Sequence, residues 1–244
     1  MIRSKIVLTF TLLTWSCMPE SGERPQALPS PEVVSAVKPQ TTAGTDSECE
    51  NVSKVLGYAV LHFDGTTAVP LFAKPDSSGQ PVQVIRFYDN PATNSTDFRV
   101  EGEGIYAQLR PKGMKVDYGV FHLSVLSRRG GWLEVVDEET GTTRWLQENK
   151  TVEFRNWLKY MQESFAVGAH GSDGNPLRLK PADDAKEVKM IGSGCFKVEE
   201  MRGDWIKVVQ QPHCEEVKVV TPATGWLRWR DKGGCMLVSI YPFA

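Results

Sequence analysis

Four histidines and five cysteines are the residues of this 244-residue chain best suited to catalysis or metal binding. His62, His122, His170 and His213 are scattered, and no two share the H-E-x-x-H spacing that puts both imidazoles on one helix face. Cysteine catalysis needs a thiolate activated by an imidazole. Cys214 follows His213, but neighbours on a strand point to opposite faces, so this pair is badly placed to share a proton. Asp137-Glu138-Glu139 lacks the alternating oxygen donors and the glycine of a calcium loop, and reads as a solvated turn. No G-x-S-x-G and no phosphate-cradling glycine loop occurs. These residues point to no catalytic set, no metal and no cofactor, and the expectation is a protein without enzymatic activity.

The cysteines read as structure and anchoring. Arg3 and Lys5 precede a mostly apolar run over residues 6–15, which is too short to span a membrane and has the pattern of a secretory signal. Leu13-Thr14-Trp15-Ser16-Cys17 resembles a bacterial lipoprotein signal, with Thr14 and Trp15 as departures from the usual pattern. That resemblance implies cleavage before Cys17, lipidation of Cys17 and a lipid as the only attachment to a membrane. It also implies a cell-envelope location, and Met18 after the cysteine implies the outer membrane. The alternative is a soluble secreted or periplasmic protein. Cys49, Cys195, Cys214 and Cys235 remain, an even number that in an exported chain predicts two disulfides. Their spacings hold no C-x₂-C pair for zinc.

The formal charge is −2, and removal of residues 1–16, with Arg3 and Lys5, makes it −4. That excludes the basic stripe a nucleic-acid binder needs. Residues 18–48 are rich in Pro, Ser, Thr, Glu and Gln and hold no aromatic residue. Such a segment cannot offset its ordering entropy by burial, and a disordered tether is expected.

Beyond the tether the chain repeats itself. Tyr58-Ala59-Val60 and Pro70-Leu71-Phe72-Ala73-Lys74-Pro75 are matched by Phe165-Ala166-Val167 and Pro176-Leu177-Arg178-Leu179-Lys180-Pro181. Trp132-Leu133-Glu134-Val135-Val136 returns as Trp205-Ile206-Lys207-Val208-Val209, and Arg144-Trp145-Leu146 as Gly225-Trp226-Leu227. Four blocks in one order mean a duplicated domain. The first copy covers residues 49–150 and the second 165–244. Period-two alternation predicts strands in both, with Gly130-Gly131 and Gly203-Asp204 as hairpin turns. Pro75 to Phe121 is 46 residues and Pro181 to Cys195 only 14, which gives the first copy an insertion of 32 residues, roughly 86–118. It carries loop signals at Asn90-Pro91 and Asn94-Ser95 and a candidate strand over residues 105–109. Phe154, Trp157, Leu158 and Met161 recur with helical spacing, which predicts a connector helix over residues 151–164.

Gly203-Asp204-Trp205-Ile206-Lys207-Val208 with Thr224-Gly225-Trp226-Leu227 resembles the third and fourth elements of the bacterial SH3-like domain, and Gly131-Trp132-Leu133-Glu134-Val135 with Arg144-Trp145-Leu146 does so in the first copy. Arg144 stands where that family has glycine, and its usual opening motif is replaced by the Pro-Leu segments. The resemblance implies an all-β chain of two tandem small SH3-like barrels joined by a short helix, binding a cell-wall peptide or an envelope protein. It places Trp132 and Trp205 beside a ligand groove; filling a small core is the other reading. Trp145 and Trp226 are the matching residues on the next strand. On a regular strand Leu227 and Trp229 share one face and Trp226 and Arg228 the other, so Trp226 is expected on the wetter surface. An envelope enzyme with its site around the insertion, or a purely structural spacer, are the alternative functions.

The hairpin also bears on the disulfides. With Arg202 opposite Trp205, Cys195 falls opposite Pro212, two residues from Cys214. Pro212 ends regular pairing and lets the chain bend. Cys195–Cys214 is therefore expected, which leaves Cys49–Cys235 as a clamp between the copies.

Overall fold

A computed structural model describes residues 49–102, 110–169, 174–192, 194–214 and 218–243 of the protein. Cys17, the tether and the candidate strand over residues 105–109 lie outside these residues. The first copy contains β1 (Gly57–Leu61), β2 (Ala68–Leu71), β3 (Gln83–Asn90), β4 (Ser95–Gly102), β5 (Gly113–Lys115), β6 (Val120–Arg129), β7 (Trp132–Val136), β8 (Thr143–Gln147) and β9 (Val152–Asn156). A helix, α1 (Trp157–Glu163), follows. The second copy contains β10 (Ala166–Ala169), β11 (Cys195–Arg202), β12 (Trp205–Gln210), β13 (Thr224–Arg228) and β14 (Val238–Tyr241). The class is all-β.

The duplication is visible in the strand order. One sheet runs β8-β7-β6-β1-β9, with β5 added to β6, and another runs β13-β12-β11-β10-β14. Each strand sits where its repeat partner sits, and every pairing is antiparallel. Both copies carry the same register shift, between Val125 and Ser127 in β6 and between Val198 and Glu200 in β11. The hairpins close where predicted, with Arg129 opposite Trp132 and Arg202 opposite Trp205. Gly130 and Gly131 have φ of 57° and 77°, a left-handed pair that only glycine adopts without strain.

The insertion is more ordered than its loop signals suggest. β3 and β4 form a long hairpin, and β2 joins them in a third sheet. The hairpin starts at Gln83, three residues before the predicted insertion, and Asn90-Pro91 and Asn94-Ser95 bound its turn. Ile85 and Phe87 alternate inward on β3 and close the first core with Leu71, Phe121, Leu123, Leu133 and Leu146.

The connector differs from the expected helix. Residues 152–156 are strand β9, paired to β1, and only Trp157–Glu163 is helical. Val152 and Phe154 pack with the first core at period two, so Phe154 belongs to a strand stripe and not a helical one. Asn156 caps α1 by accepting from the Lys159 amide at 2.9 Å, which starts the helix there. Its buried face is Trp157, Tyr160 and Met161.

β1 is buried on both sides. Ala59 and Leu61 face the first core, whereas Tyr58 and Val60 join Trp157, Tyr160 and Met161 in one cluster with Val167, Phe196, Ile206, Val208, Leu227 and Trp229. The second core is therefore built from both copies and the helix. The predicted disulfides are present. Cys49 bonds Cys235, beside backbone pairing from the Val52 amide to the Gly234 carbonyl and from the Met236 amide to the Glu50 carbonyl. Cys195 bonds Cys214 by a different route from the one expected. The bulge in β11 puts Cys195 against Gln211 rather than Pro212, and a single 3-10 turn, Pro212–Cys214, swings the second cysteine back.

Candidate functional site

The strands that carry Trp132 and Trp205 alternate cleanly. Leu133 and Val135 point into the first core and Ile206 and Val208 into the second. Trp132 and Trp205 stand on the opposite face, outside the two main clusters but buried, and Trp132 belongs to a small core cluster of its own, so the core-filling alternative holds for it. Leu227 and Trp229 go inward as expected. Trp226 goes outward, but the expectation of exposure fails: Trp226 and Trp145 are each 7% exposed, and Trp132 and Trp205 each 9%. For three of the four the cover is arginine. Arg129 lies over Trp145 at 4.7 Å, Arg202 over Trp226 at 5.0 Å and Arg228 over Trp205 at 4.8 Å. A guanidinium stacks on an indole while its edge stays wet.

In the first copy Phe72 completes a cluster with Trp132 and Trp145, separate from both cores. Phe72 meets Trp132 edge-on at 5.3 Å and exchanges two backbone hydrogen bonds with Trp145, at 2.9 and 2.8 Å. In the second copy Arg178 makes the same backbone exchange with Trp226, at 2.9 and 2.7 Å. The four tryptophans thus form two equivalent exterior faces, two rings to each. Phe72 and the arginines do not stand out from residue type alone. A signal exists for two of them, since Arg129 and Arg202 occupy the same place before each hairpin turn.

Two other places collect polar groups. A cleft of about 750 Å³ is lined by Asp89, Asn90, Asn94, Ser95 and Thr96 at the tip of the inserted hairpin and by Asp117 in a 3-10 turn before β6. Asp89 and Asp117 are both exposed. They are not the shielded carboxylate pair that acid–base catalysis requires. A smaller cleft of about 180 Å³ lies beside α1 and includes His62, His122, Arg155, Tyr160 and Glu163. His122 is buried, and its Nδ1 is 2.9 Å from the Tyr160 hydroxyl. Burial, with smaller contributions from the charges of Arg155 and His62, lowers its pKa from 6.5 to about 4. Glu153 gathers Lys159, Arg155 at 2.8 Å and His62 at 2.9 Å. The Lys159 hydrogen bond, with those of Arg155 and His62, outweighs burial and brings the Glu153 pKa down to about 2.

His213 and Cys214 are apart in role as expected, since Cys214 is in a disulfide. His170 lies outside the described residues. Asp137 is not the solvated residue predicted. It is buried and accepts from the amides of Arg110, Glu139 and Thr140, at 2.6, 3.1 and 2.7 Å, and from the Thr140 hydroxyl. Burial raises its pKa, but these hydrogen bonds prevail and hold it below the usual carboxylate value. Among the described residues no three His, Cys, Asp or Glu side chains converge as a metal site. No family model and no curated protein matches the chain.

Proposed function

We propose that this chain is a cell-envelope lipoprotein without enzymatic activity, held to the outer membrane by a lipid on Cys17. Its two copies are SH3-like domains that bind a cell-wall peptide or an envelope protein through their exterior aromatic faces. One observation carries the reading. Two tryptophans recur at equivalent positions on the face of each sheet turned away from its main core, beneath Phe72 and the arginines. Aromatic rings backed by a rigid sheet and edged by arginine are the usual composition of a recognition surface. The shared second core favours the spacer reading in part, because it holds the copies together. It leaves the exterior rings unexplained.

The test has two arms. Cys17→Ala should move the protein from the membrane fraction to the soluble fraction, and unchanged membrane association would refute the anchor. The double variants W132A/W145A and W205A/W226A are then compared with the parent for retention on purified peptidoglycan sacculi and on immobilised envelope proteins. Loss of retention in either variant, with circular dichroism unchanged, supports a binding face. Retention equal to the parent in both variants refutes it.

A further inference from the structure

We propose that the cleft between β6, β9 and α1 is a binding site for a small carboxylate, held by the His122 imidazole and the Arg155 guanidinium. The site stands apart from the tryptophan faces and does not rest on them.

The sheet register builds it. His122 on β6 lies opposite Val60 on β1, and Val60 opposite Glu153 on β9, while Arg155 lies opposite Tyr58. Opposite partners point to the same side of a sheet, so His122, Glu153 and Arg155 share the face that packs toward α1. The helix brings Tyr160 over that face, and its hydroxyl is 2.9 Å from Nδ1 of His122. The cleft left beside them has a volume of about 180 Å³, room for about six waters at liquid density.

His122 is 5% exposed, and its Nε2 has no hydrogen-bond partner among the described residues. That nitrogen is not sealed in protein but opens onto the cleft. The imidazole is neutral at pH 7, because burial lowers its pKa to about 4. Burial raises the pKa of Tyr160, so its hydroxyl keeps its hydrogen, and it has no other acceptor among the described residues. The hydroxyl therefore donates to Nδ1, which places the imidazole hydrogen on Nε2. A buried N–H that faces a polar cleft needs an acceptor there.

Charge selects which acceptor. Arg155 and, to a smaller extent, His62 push the His122 pKa down alongside burial, which marks a positive potential at the imidazole. The Arg155 side chain is 19% exposed. Its guanidinium bonds Glu153 through Nε and Nη2, at 3.1 and 2.8 Å, and lies 2.8 Å from Glu163 through Nη1. N–H groups remain on both terminal nitrogens for a further oxygen. The carboxylates of Glu153 and Glu163 are matched by Arg155 and Lys159, so they leave little uncompensated negative charge to repel an anion. One neutral N–H beside one guanidinium suits a single planar carboxylate. Tyr118 and Pro242 also line the cleft and offer apolar surface to a short aliphatic tail.

The test is NMR at pH 7 on the oxidised full chain with ¹⁵N-labelled histidine. Without ligand, His122 should show a protonated Nε2 and a bare Nδ1, and the opposite tautomer overturns the proposal. Sodium acetate is then titrated against acetamide at constant ionic strength. Acetate should shift the His122 ring signals saturably, with a Kd on the order of 1–10 mM, and acetamide should bind about tenfold more weakly or worse. N-acetylalanine and its amide repeat the comparison with the carboxylate at a chain end. Tighter binding of N-acetylalanine than of acetate assigns the site to a peptide terminus, and weaker binding assigns it to a free small acid. R155Q should erase the preference for acid over amide. Y160F, which frees the tautomer, should weaken acetate by about fivefold with native near-ultraviolet dichroism. Equal responses to acetate and acetamide, or no saturable shift at His122 in the parent, overturn the proposal and leave the tryptophan faces untouched.

Discussion

Lowering the pH from 7.5 to 4 will cost the folded protein about 3 kcal/mol through His122 alone. The imidazole is buried between β6 and α1, and its pKa falls from 6.5 to about 4. The unfolded chain takes up a proton near 6.5 and the folded chain only near 4. Between those values the unfolded state binds more protons, so stability declines as the pH falls through this window. It is fully present above about 6.5 and fully lost below about 4. That difference is worth roughly 3 kcal/mol, most of it expressed by pH 4.

Carboxylates such as Glu153 and Asp137 also lose their partners on acidification, so the raw acid sensitivity of the protein is not diagnostic. The difference between two proteins is. Urea unfolding is measured at pH 7.5, 6, 5 and 4 for the parent and for H122Q, whose amide keeps a polar group facing the Tyr160 hydroxyl. The parent should be the steeper of the two, with the gap growing by about 3 kcal/mol between pH 7.5 and pH 4. Parallel curves for the parent and H122Q would mean that the imidazole is solvated or charged in the folded state, and would refute the reasoning.

A fragment of residues 165–244 will not fold cooperatively. It lacks Val52, Tyr58, Val60, Trp157, Tyr160 and Met161 from its core, a loss of roughly 9–18 kcal/mol of burial. A sharp urea transition with a native near-ultraviolet dichroism spectrum would contradict this. Removing Cys49–Cys235 by paired alanine substitution should destabilise more than removing Cys195–Cys214. The bonds close separations of 186 and 19 residues, worth roughly 5 and 3 kcal/mol in chain entropy, and equal midpoint shifts would argue against that account. Asp137→Ala should cost about 2–3 kcal/mol by stranding the amides of Arg110, Glu139 and Thr140, and a thermal midpoint unchanged from the parent would show that water replaces the carboxylate.

The parts of the fold written in local pattern are legible in the residues themselves. The repeat blocks, the hairpin turns and the inward alternation of Leu227 and Trp229 follow from period two and from glycine. The misreadings have a common cause, which is that contacts between distant segments leave little trace in local pattern. Phe154 satisfies a helical spacing by accident, because the chain passes from strand to helix at Asn156 and the pattern runs across both. Glu199 is the extra residue of the β11 bulge, and a bulge leaves no mark in residue types, so the register argument for Cys195 is off by one residue. The charged neighbour Arg228 suggests an exposed Trp226. Its cover is Arg202, which comes from β11 across the sheet. The insertion looks like loop because its turns announce themselves, whereas its strands are marked only by Ile85 and Phe87 finding the first core.

The same contacts explain why a duplicated domain has not stayed two domains. A copy able to fold alone would keep one side of β1 polar. Here Tyr58 and Val60 are buried against the second copy, and the Glu50–Val52 backbone pairs with Gly234 and Met236. A disulfide then fixes this exchange at Cys49 and Cys235. Once the copies share a core, each no longer needs an identical outer surface, and mutations on one exterior face are not mirrored on the other. The second face has drawn Arg202 and Arg228 onto Glu200 and Asp183, and the first has kept three rings and an arginine over Trp145. Moving a residue of the second face onto the first puts this account to the test. Ser127→Glu should place a carboxylate directly opposite Glu134, where the second copy pairs Glu200 with Lys207, and lower stability by about 0.5–1 kcal/mol. A thermal midpoint of S127E equal to the parent's would show that the two faces tolerate the same charges and would sink this account.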